Sequence, residues 1–317
     1  MEAGEAGGAR GVLDSGPPAF VDEAGRSYLL SAEIGRGVLT SVGSAEAQPT
    51  PTSGRYAIKT VLPMWVGHPL AEARIARERE LSAAIHQTSQ HAHCARILNG
   101  GRQPVGDGRS RPFHVSPLYD GISLAERLRA GHPKVGPLLA LAWADDLLSA
   151  LQRLHDTGWV HRDVKPQNVL VIDAAALSRT GATAATRPCA MLMDYGLAVR
   201  IDAARIEPDE PFGTPAYVSP EVVAGATLDG RADLYSLGLI LFELLCGRRP
   251  FIGGDPISLI EAHLSEQPPS LRALCPHLSA ELDRVLAATL AKSPGERPAS
   301  AAELAGMLQL TPEGRRS

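Results

Sequence analysis

Several features that would assign this chain to a particular class of protein are missing from its sequence. No block of basic residues stands out and the net charge is −4, so a main role in nucleic-acid binding is not expected. The four cysteines, Cys94, Cys189, Cys246 and Cys275, lie far apart without a Cys-x-x-Cys pair. This usage is typical of reduced thiols in a cytoplasmic protein rather than of a disulfide framework.

No apolar run is long enough to cross a bilayer. The best candidate, residues 234–246, is too short and contains Glu243. The first ten residues, MEAGEAGGAR, lack the basic-then-apolar pattern of a signal peptide. We therefore expect a soluble, cytoplasmic protein with no membrane partner.

Three short motifs carry the chemical signal of the sequence. They are HRDVKPQN at residues 161–168, MDYG at 193–196 and GTPAYVSPE at 213–221. In the first, Asp163 is placed to accept the proton of an acceptor hydroxyl, and Lys165 can reach a transferred phosphate from the same side. Asn168 and Asp194 supply the hard oxygen ligands that suit Mg²⁺. Together the motifs predict a site for transferring a phosphoryl group to a hydroxyl.

In this order the motifs resemble those of the Ser/Thr protein kinases, closest in style to the bacterial members of that eukaryotic-like superfamily. The resemblance runs from about residue 28 to about residue 310. It implies an α+β fold of two lobes: a small antiparallel β-rich N-lobe with one main helix, and a larger, mostly helical C-lobe. The implied boundaries are a flexible arm at 1–26, a kinase domain at 27–310, with lobes at about 27–117 and 121–310, and a tail at 311–317.

The sequence patterns place strands and helices accordingly. Two strands are predicted, at residues 27–37 and 54–62, with a polar, Pro-containing stretch between them, and two more at 96–102 and 112–119 around a Gly-rich loop. The apolar spacing predicts helices, the one at 232–247 apolar nearly all round. The other predicted helices are 71–86, 138–155, 257–264, 280–290 and 300–308.

The N-lobe sequence predicts a nucleotide site. Gly35 and Gly37, in the run IGRGVLTSV, would let the backbone close over phosphates. The family pattern expects a third glycine where this chain has Thr40. Ile34 and Val42 belong to the same run, and Val42 falls where the pattern wants an apolar residue over the base.

The resemblance also implies a phosphate clamp and a hinge. Lys59, which follows Ala57 in the run Ala-Ile-Lys, is the expected clamp for the α- and β-phosphates, and Ala57 is expected to contact the nucleotide. The expected partner of Lys59 is Glu78, although Glu72 and Glu80 compete for that role. The hinge at residues 117–121 contributes Leu118 to the nucleotide site, and Ser116 lies at the back of the base pocket.

Two carboxylates are expected to support the fold. The resemblance pairs Glu221 with Arg297 in a buried ion pair, and it implies that Asp233 holds the backbone of the loop that carries Asp163. The Lys165-Pro166 pair and the GTPAY run are typical of kinases acting on Ser and Thr rather than Tyr. Kinases of small molecules generally lack the second segment.

The expected activity is therefore transfer of the γ-phosphoryl of ATP, with Mg²⁺, to Ser or Thr of protein substrates, with the chain itself as a candidate autophosphorylation substrate. The alternative is a pseudokinase that acts as a nucleotide-binding scaffold or sensor. Thr40, an insertion at residues 174–188 and the lack of Ser or Thr at residues 194–213 favour the alternative. The intact set Lys59, Asp163, Asn168 and Asp194 opposes it. A kinase of small metabolites is a third interpretation, opposed by the acceptor segment.

Three further segments carry weaker hypotheses. An Ala/Thr-rich insertion at residues 174–188 is expected to be a surface excursion, and its Ser and Thr are candidate phosphorylation sites. Residues 194–213 contain no Ser or Thr, so one carboxylate among Glu207, Asp209 and Glu210 is a candidate partner of Arg162. The cluster of His86, His91, His93 and Cys94 matches no closed zinc pattern.

Overall fold

The computed structural model describes residues 19–48, 54–87, 92–129, 135–173, 187–201 and 213–316. Within them the chain forms an antiparallel sheet with one long helix, followed by a mostly helical part. The predicted α+β, two-lobed fold is therefore confirmed. No helix in these ranges combines the length and the hydropathy that crossing a membrane requires.

The N-lobe is built on a six-stranded sheet in which every neighbouring pair runs antiparallel. Its strands are β1 (Phe20–Val21), β2 (Ser27–Arg36), β3 (Thr40–Gln48), β4 (Arg55–Val61), β5 (Asn99–Gly106) and β6 (Arg109–Pro117), in the spatial order β1-β2-β3-β4-β6-β5. Apolar residues of these strands form one small core, which contains Phe20, Tyr28, Ile58, Phe113 and Val115.

The structure corrects the expected end of the N-terminal arm. Phe20 is completely buried and packs edge-on against the ring of Phe113, 5.0 Å between centroids. Asp22 is buried as well and accepts a hydrogen bond from the hydroxyl of Tyr28 at 2.9 Å. Residues 20–21 therefore belong to the sheet and residues 22–26 form the turn to β2, because the burial of one aromatic side chain outweighs the polar composition around it.

The sequence patterns also missed a strand. β3 follows the glycine run directly and pairs with β2 on one side and β4 on the other. Its residues, TSVGSAEAQ, are mostly small and polar, so they lack the alternation of large apolar residues that marks a strand. Backbone hydrogen bonds to β2 and β4 hold β3 in the sheet, and these bonds do not depend on its side chains.

Helix α1 (Pro69–Ile85) packs against the sheet of the N-lobe. Pro69 suits the first position, where no backbone N–H is needed. Ile75, Leu81 and Ile85 are buried, and Glu78 is buried between them, with 3% of its surface exposed. A buried carboxylate requires hydrogen-bonding or charged partners. Those of Glu78 are Lys59 and His114.

The C-lobe is mostly helical. Its helices are α2 (Leu124–Leu128), α3 (Pro137–Asp156), α4 (Pro220–Val223), α5 (Arg231–Cys246), α6 (Pro256–Ser265), α7 (Leu271–Leu274), α8 (Ala280–Thr289) and α9 (Ala301–Gln309). Helix α5 is buried along most of its length, as its apolar sequence predicts, and ends at Gly247, whose φ of 72° provides a left-handed cap.

In the described part of the chain, five short strands flank the loops that carry the predicted motifs. They are β7 (Gly121–Ser123), β8 (Trp159–Val160), β9 (Val169–Ile172), β10 (Cys189–Leu192) and β11 (Val199–Arg200), which pair as β10-β9-β7 and β11-β8. Residues 161–168 lie between β8 and β9, and residues 193–196 follow β10. The sheet order therefore brings both motifs to one place.

The expected insertion and tail are described only in part. Arg187, at the end of the insertion, makes two hydrogen bonds of 2.8 and 2.9 Å to the buried carboxylate of Asp146. Residues 174–186, with the candidate phosphorylation sites, lie outside the described residues. In the tail, Thr311 is buried and Glu313 accepts hydrogen bonds from the backbone N–H and hydroxyl of Ser279 at 2.7 and 2.6 Å, so this segment packs on the lobe.

A buried histidine gives the C-lobe a predicted pH dependence. His263, on α6, is 1% exposed, and its Nδ1 lies 3.0 Å from the hydroxyl of Tyr235. Burial, and then the charges of Lys292 and Arg249, lower the pKa of His263 to about 4, whereas an exposed histidine titrates near about 6.5. The unfolded chain therefore binds a proton in this window that the folded chain does not, so the free energy of unfolding should fall as the pH decreases from about 6.5 to about 4.

The test is urea unfolding at pH values between about 6.5 and 5, above the range of most carboxylates. We expect His263→Gln to reduce the pH slope by up to about 1.4 kcal/mol per pH unit. The exposed His277 provides the matched control, since His277→Gln should leave the slope unchanged. An unaltered slope in His263→Gln would show that another group carries the effect.

Candidate active site

A buried carboxylate below the loop fixes the backbone at residues 161–163. Asp233, at the start of α5, accepts hydrogen bonds from the backbone N–H of His161 at 2.8 Å and of Arg162 at 2.9 Å. His155 Nε2 lies 2.8 Å from the same carboxylate. Arg162 adopts a φ of 67°, a left-handed conformation that costs energy for a non-glycine residue. These bonds from Asp233 hold the turn that presents Asp163.

The two oxygens of Asp163 have different surroundings. Oδ2 accepts hydrogen bonds from Lys165 Nζ at 2.7 Å and from Asn168 Nδ2 at 2.8 Å. Oδ1 is buried and has no hydrogen-bond partner within the described residues. A buried acceptor without a partner costs roughly 1–3 kcal/mol, so Oδ1 is the oxygen that is available to a hydroxyl.

The acceptor segment reaches this oxygen directly. Gly213 has a φ of 88°, and a Cβ there would lie 3.3 Å from Asp163 Oδ1 and 3.1 Å from the carbonyl oxygen of Arg162. A side chain would therefore crowd the unpartnered oxygen, and glycine avoids this contact. The next residue, Thr214, accepts a hydrogen bond from Lys165 Nζ at 3.0 Å. The predicted acceptor segment and the predicted catalytic loop are thus in contact.

A second cluster of charges centres on Lys59. Its Nζ lies 2.7 Å from Glu78 Oε1 and 2.8 Å from Asp194 Oδ1. Of the three candidate partners in α1, Glu78 is the one that contacts Lys59. Glu72 binds Arg102 instead, with distances of 3.0 and 3.1 Å, and Glu80 is exposed.

The electrostatics keep this cluster charged. Burial by itself would lower the pKa of Lys59, but the carboxylates of Asp194 and Glu78 raise it above the usual range of a lysine. Desolvation likewise opposes ionisation of Asp194, but the Lys59 ammonium holds the pKa of Asp194 well below its usual range. Both groups therefore remain ionised at neutral pH.

The donor set at the mouth of the cleft suits Mg²⁺. Asn168 donates through Nδ2 to the carbonyl and the carboxylate of Asp163, which leaves its amide oxygen as the atom to offer a cation. Asp194 adds a carboxylate across the cleft. The described residues contain no group of three or more His, Cys, Asp or Glu that could hold a metal by themselves. Mg²⁺ is commonly bound in this way, by one or two protein oxygens together with substrate phosphates.

A cavity of about 580 Å³ lies between the lobes, beside both clusters. This volume falls within the range of about 300–1,000 Å³ that is typical of small-molecule sites. Its lining includes the apolar residues Ile34, Val42, Ala57, Leu170 and Met193, then Ser116 with the hinge residues Pro117 and Leu118, and the polar residues Lys59, Glu78, Asn168 and Asp194. The cavity can hold a planar apolar group at one end and anionic groups at the other.

The glycine run spans the end of β2, the turn at residues 37–39 and the start of β3. The turn is closed by a hydrogen bond from the backbone N–H of Gly37 to the carbonyl of Thr40 at 2.8 Å. A Cβ at Gly35 or Gly37 would make only ordinary contacts, at 3.6 Å or more. The fold itself therefore does not require glycine at these positions, which is compatible with the close approach of a ligand.

The expected pair of Arg297 and Glu221 is present, and the buried hydroxyl of Tyr195 has two acceptors. Arg297 and Glu221 form a buried pair with two parallel bonds of 2.7 and 2.8 Å. The hydroxyl of Tyr195, which stands where phenylalanine is usual in the family, contacts the carbonyl oxygens of Ala95 and Leu192 at 3.2 and 3.3 Å.

Other sequence hypotheses have different outcomes. Glu207, Asp209 and Glu210 lie outside the described residues, as does His91. His86 Nε2 and His93 Nδ1 contact the carbonyl oxygens of Ala95 and Ala190 at 3.4 and 3.0 Å. The thiol of Cys94 is buried, which raises its pKa to about 12.

Sequence reasoning missed one member of the charged cluster. His114, on β6, lies with Nε2 3.1 Å from Glu78 Oε2. It belongs to no motif and stands in a strand of mixed polar and apolar residues, so nothing in the sequence indicates a contact with Glu78. Only the pairing of β6 with β4, which places His114 opposite Lys59, reveals it.

Comparisons with known proteins agree with this geometry. Residues 28–307 match the family model described as the protein kinase domain. Over 283 residues, 88% of the chain, the sequence is 31% identical to a probable serine/threonine-protein kinase of Streptomyces coelicolor. It is 34% identical over 246 residues, 76% of the chain, to the serine/threonine-protein kinase PknB of Mycolicibacterium smegmatis. The chain spans 39% and 36% of the lengths of these two relatives.

A solved structure shows the same fold. The crystal structure of the Mycobacterium tuberculosis PknI kinase domain superposes with a TM-score of 0.62 at 27% sequence identity. The match covers 89% of this chain and 94% of that structure.

Proposed function

Because the chain belongs to the protein kinase family, we propose that it transfers the γ-phosphoryl group of ATP to Ser and Thr hydroxyls of proteins. The observation that carries the proposal is that two charged clusters meet at one cavity, which the first cluster lines directly and the second reaches through Asn168. Lys59, Glu78 and Asp194 form one cluster, and Asp163, Lys165 and Asn168 form the other.

In the proposed reaction Asp163 positions the acceptor hydroxyl and accepts its proton. Lys165 and Asn168 hold Oδ2, so the carboxylate plane is fixed and Oδ1 points to the acceptor. General-base assistance of this kind contributes roughly 10²–10⁴-fold. Lys165 lies between Asp163 and Thr214 and is placed to neutralise charge on the moving phosphoryl group.

Lys59 holds the other phosphates of the nucleotide in the proposed complex. The residues that would bind the nucleotide around them are Ile34, Gly35, Gly37, Val42, Ala57 and Leu118, with Glu78 acting through Lys59. Asn168 and Asp194 would hold Mg²⁺, which would neutralise charge on the phosphates. The intact set opposes the alternative of a scaffold without transfer activity.

The acceptor segment supports a protein rather than a small metabolite as the substrate. Residues 213–221 join the catalytic loop at Thr214 and the core of the C-lobe through Glu221 and Arg297. A segment fixed at both ends holds the partly exposed residues 213–216 beside Asp163, and a small acceptor would not need such a segment. Because ATP is supplied in the cytoplasm, we propose that the reaction takes place there.

The test is transfer from γ-labelled ATP to a generic basic protein and to the chain itself, with and without Mg²⁺. Mass spectrometry locates the label. Mg²⁺-dependent label on Ser or Thr supports the proposal. Binding of ATP with no transfer to any protein acceptor, or transfer only to small hydroxyl compounds, would contradict it.

Lys59 gives a quantitative prediction within this assay. Lys59→Met keeps a long unbranched side chain but removes the charge that pairs with Glu78 and Asp194. We expect kcat to fall on the order of 10²-fold, because a fixed positive charge acts most strongly where charge develops in the transition state. The exposed Arg109, at the far end of β6, provides the control, since Arg109→Met should leave kcat within about twofold of the wild type. Equal kcat values for Lys59→Met and the wild type would remove Lys59 from the proposed mechanism.

A further inference from the structure

The carboxylate of Glu78 is held by two donors, one on each oxygen. Lys59 Nζ lies 2.7 Å from Oε1, and His114 Nε2 lies 3.1 Å from Oε2. Lys59 and His114 are directly opposite each other on β4 and β6, so their side chains leave the same face of the sheet towards α1. Glu78 and His114 are 3% and 5% exposed, so the contact is shielded from water.

The chemistry of the pair identifies the tautomer of His114. An ionised carboxylate only accepts hydrogen bonds, so Nε2 must carry the proton that lies between the two groups. The other nitrogen, Nδ1, is buried and has no hydrogen-bond partner within the described residues. His114 therefore contributes one directed donor to Glu78.

The hydrogen bond from His114 to Glu78 affects the position of Lys59. A carboxylate with a single donor can turn about its side-chain bonds, whereas donors on both oxygens fix its plane. Because Lys59 Nζ is shared between Glu78 and Asp194, a rotation of Glu78 would draw the ammonium away from its place in the cleft. An apolar residue at position 114 would also leave a buried carboxylate oxygen without this donor.

We propose that His114 is a positioning residue, which orients Glu78 and through it holds Lys59 where the phosphates of the nucleotide are bound. The inference rests on the proposed function for its kinetic consequence. The contact between His114 and Glu78 stands on geometry alone.

The first test compares two replacements of His114. His114→Leu removes the donor at similar volume, and we expect kcat to fall about tenfold, the usual effect of losing an outer partner of a reactive group. His114→Gln places an amide N–H near the position of Nε2 and should recover activity to within about threefold of the wild type. Equal losses in the two variants would contradict a role for the donor.

A double-mutant cycle separates positioning from simple destabilisation. If His114 acts through Glu78, then His114→Leu should change kcat less than about twofold in a Glu78→Gln background, because the carboxylate that His114 orients is already absent. Additive losses would overturn the proposal. Val115→Ala, a cavity mutation in the next residue of β6, serves as the control: it should lower stability, and its effect on kcat should be additive with that of Glu78→Gln.

Two measurements do not depend on phosphoryl transfer. The same cycle on the affinity for MgATP, measured by calorimetry, should show the same non-additivity. Nitrogen chemical shifts of His114 by NMR should show a proton on Nε2 and a bare Nδ1. A proton on Nδ1 instead would contradict the contact. A wild type that transfers no phosphate but shows the expected tautomer would reject the proposed function and leave the contact intact.

Discussion

Asp163→Asn is expected to lower kcat for phosphoryl transfer by about 10³-fold while leaving the affinity for MgATP within about threefold of the wild type. The reason lies in the two oxygens of Asp163. Lys165 and Asn168 both donate to Oδ2, so the carbonyl oxygen of an asparagine would occupy that position. Its NH₂ group would then take the place of Oδ1, where it cannot accept a proton from a hydroxyl.

The measurement is label transfer under saturating ATP, with calorimetry for nucleotide affinity. Asp156→Asn is the matched control. Asp156 is an exposed aspartate at the end of α3 that accepts a hydrogen bond from Gln152. This variant should retain full activity. Substantial transfer by Asp163→Asn, above about a tenth of the wild-type rate, would assign the base to another group. Loss of nucleotide affinity together with kcat would mean that the substitution disturbs the cleft.

Arg297→Met is expected to lower the free energy of unfolding by about 3–5 kcal/mol, because it leaves the carboxylate of Glu221 buried without its partner. The Arg297 side chain is fully buried. Besides its two bonds to Glu221, it donates to the carbonyl oxygens of Arg231, Ala291 and Lys292 at 2.8–3.0 Å. Methionine can fill much of the space but satisfies none of these acceptors.

Urea unfolding provides the measurement for this pair. Arg284→Met serves as the control, since Arg284 is 75% exposed and its pair with Glu281 should be worth less than about 1 kcal/mol. The double variant Glu221→Leu, Arg297→Met should be more stable than Arg297→Met alone, because it removes the uncompensated charge. A loss below about 1 kcal/mol in Arg297→Met would mean that water reaches Glu221.

Residues close together in the chain were predictable. Asp163, Lys165 and Asn168 lie within six residues of one loop, so the local backbone alone brings them near one another. The five longer helices of the C-lobe were also predictable to within one or two residues, because their apolar spacing follows the helical period, whereas the short helices α2, α4 and α7 were not predicted. The strands were less so, since β3 carries few apolar residues and Phe20 is a single buried residue in a polar stretch.

The sequence by itself therefore determined the family, the fold class and the chemical groups of the site, because phosphoryl transfer needs particular side chains in short, ordered motifs. The resemblance also indicated two pairs, Lys59 with Glu78 and Glu221 with Arg297, but only the tertiary structure decided between competing partners and showed the contacts outside the motifs. The rotation of α1 selects Glu78 over Glu72 and Glu80, and the register between β4 and β6 places His114 against it. The packing of Gly213 against the loop leaves one oxygen of Asp163 free. Such contacts join residues that are far apart in the chain. Strand register and helix rotation set the distances between these residues, and no local sequence pattern indicates them.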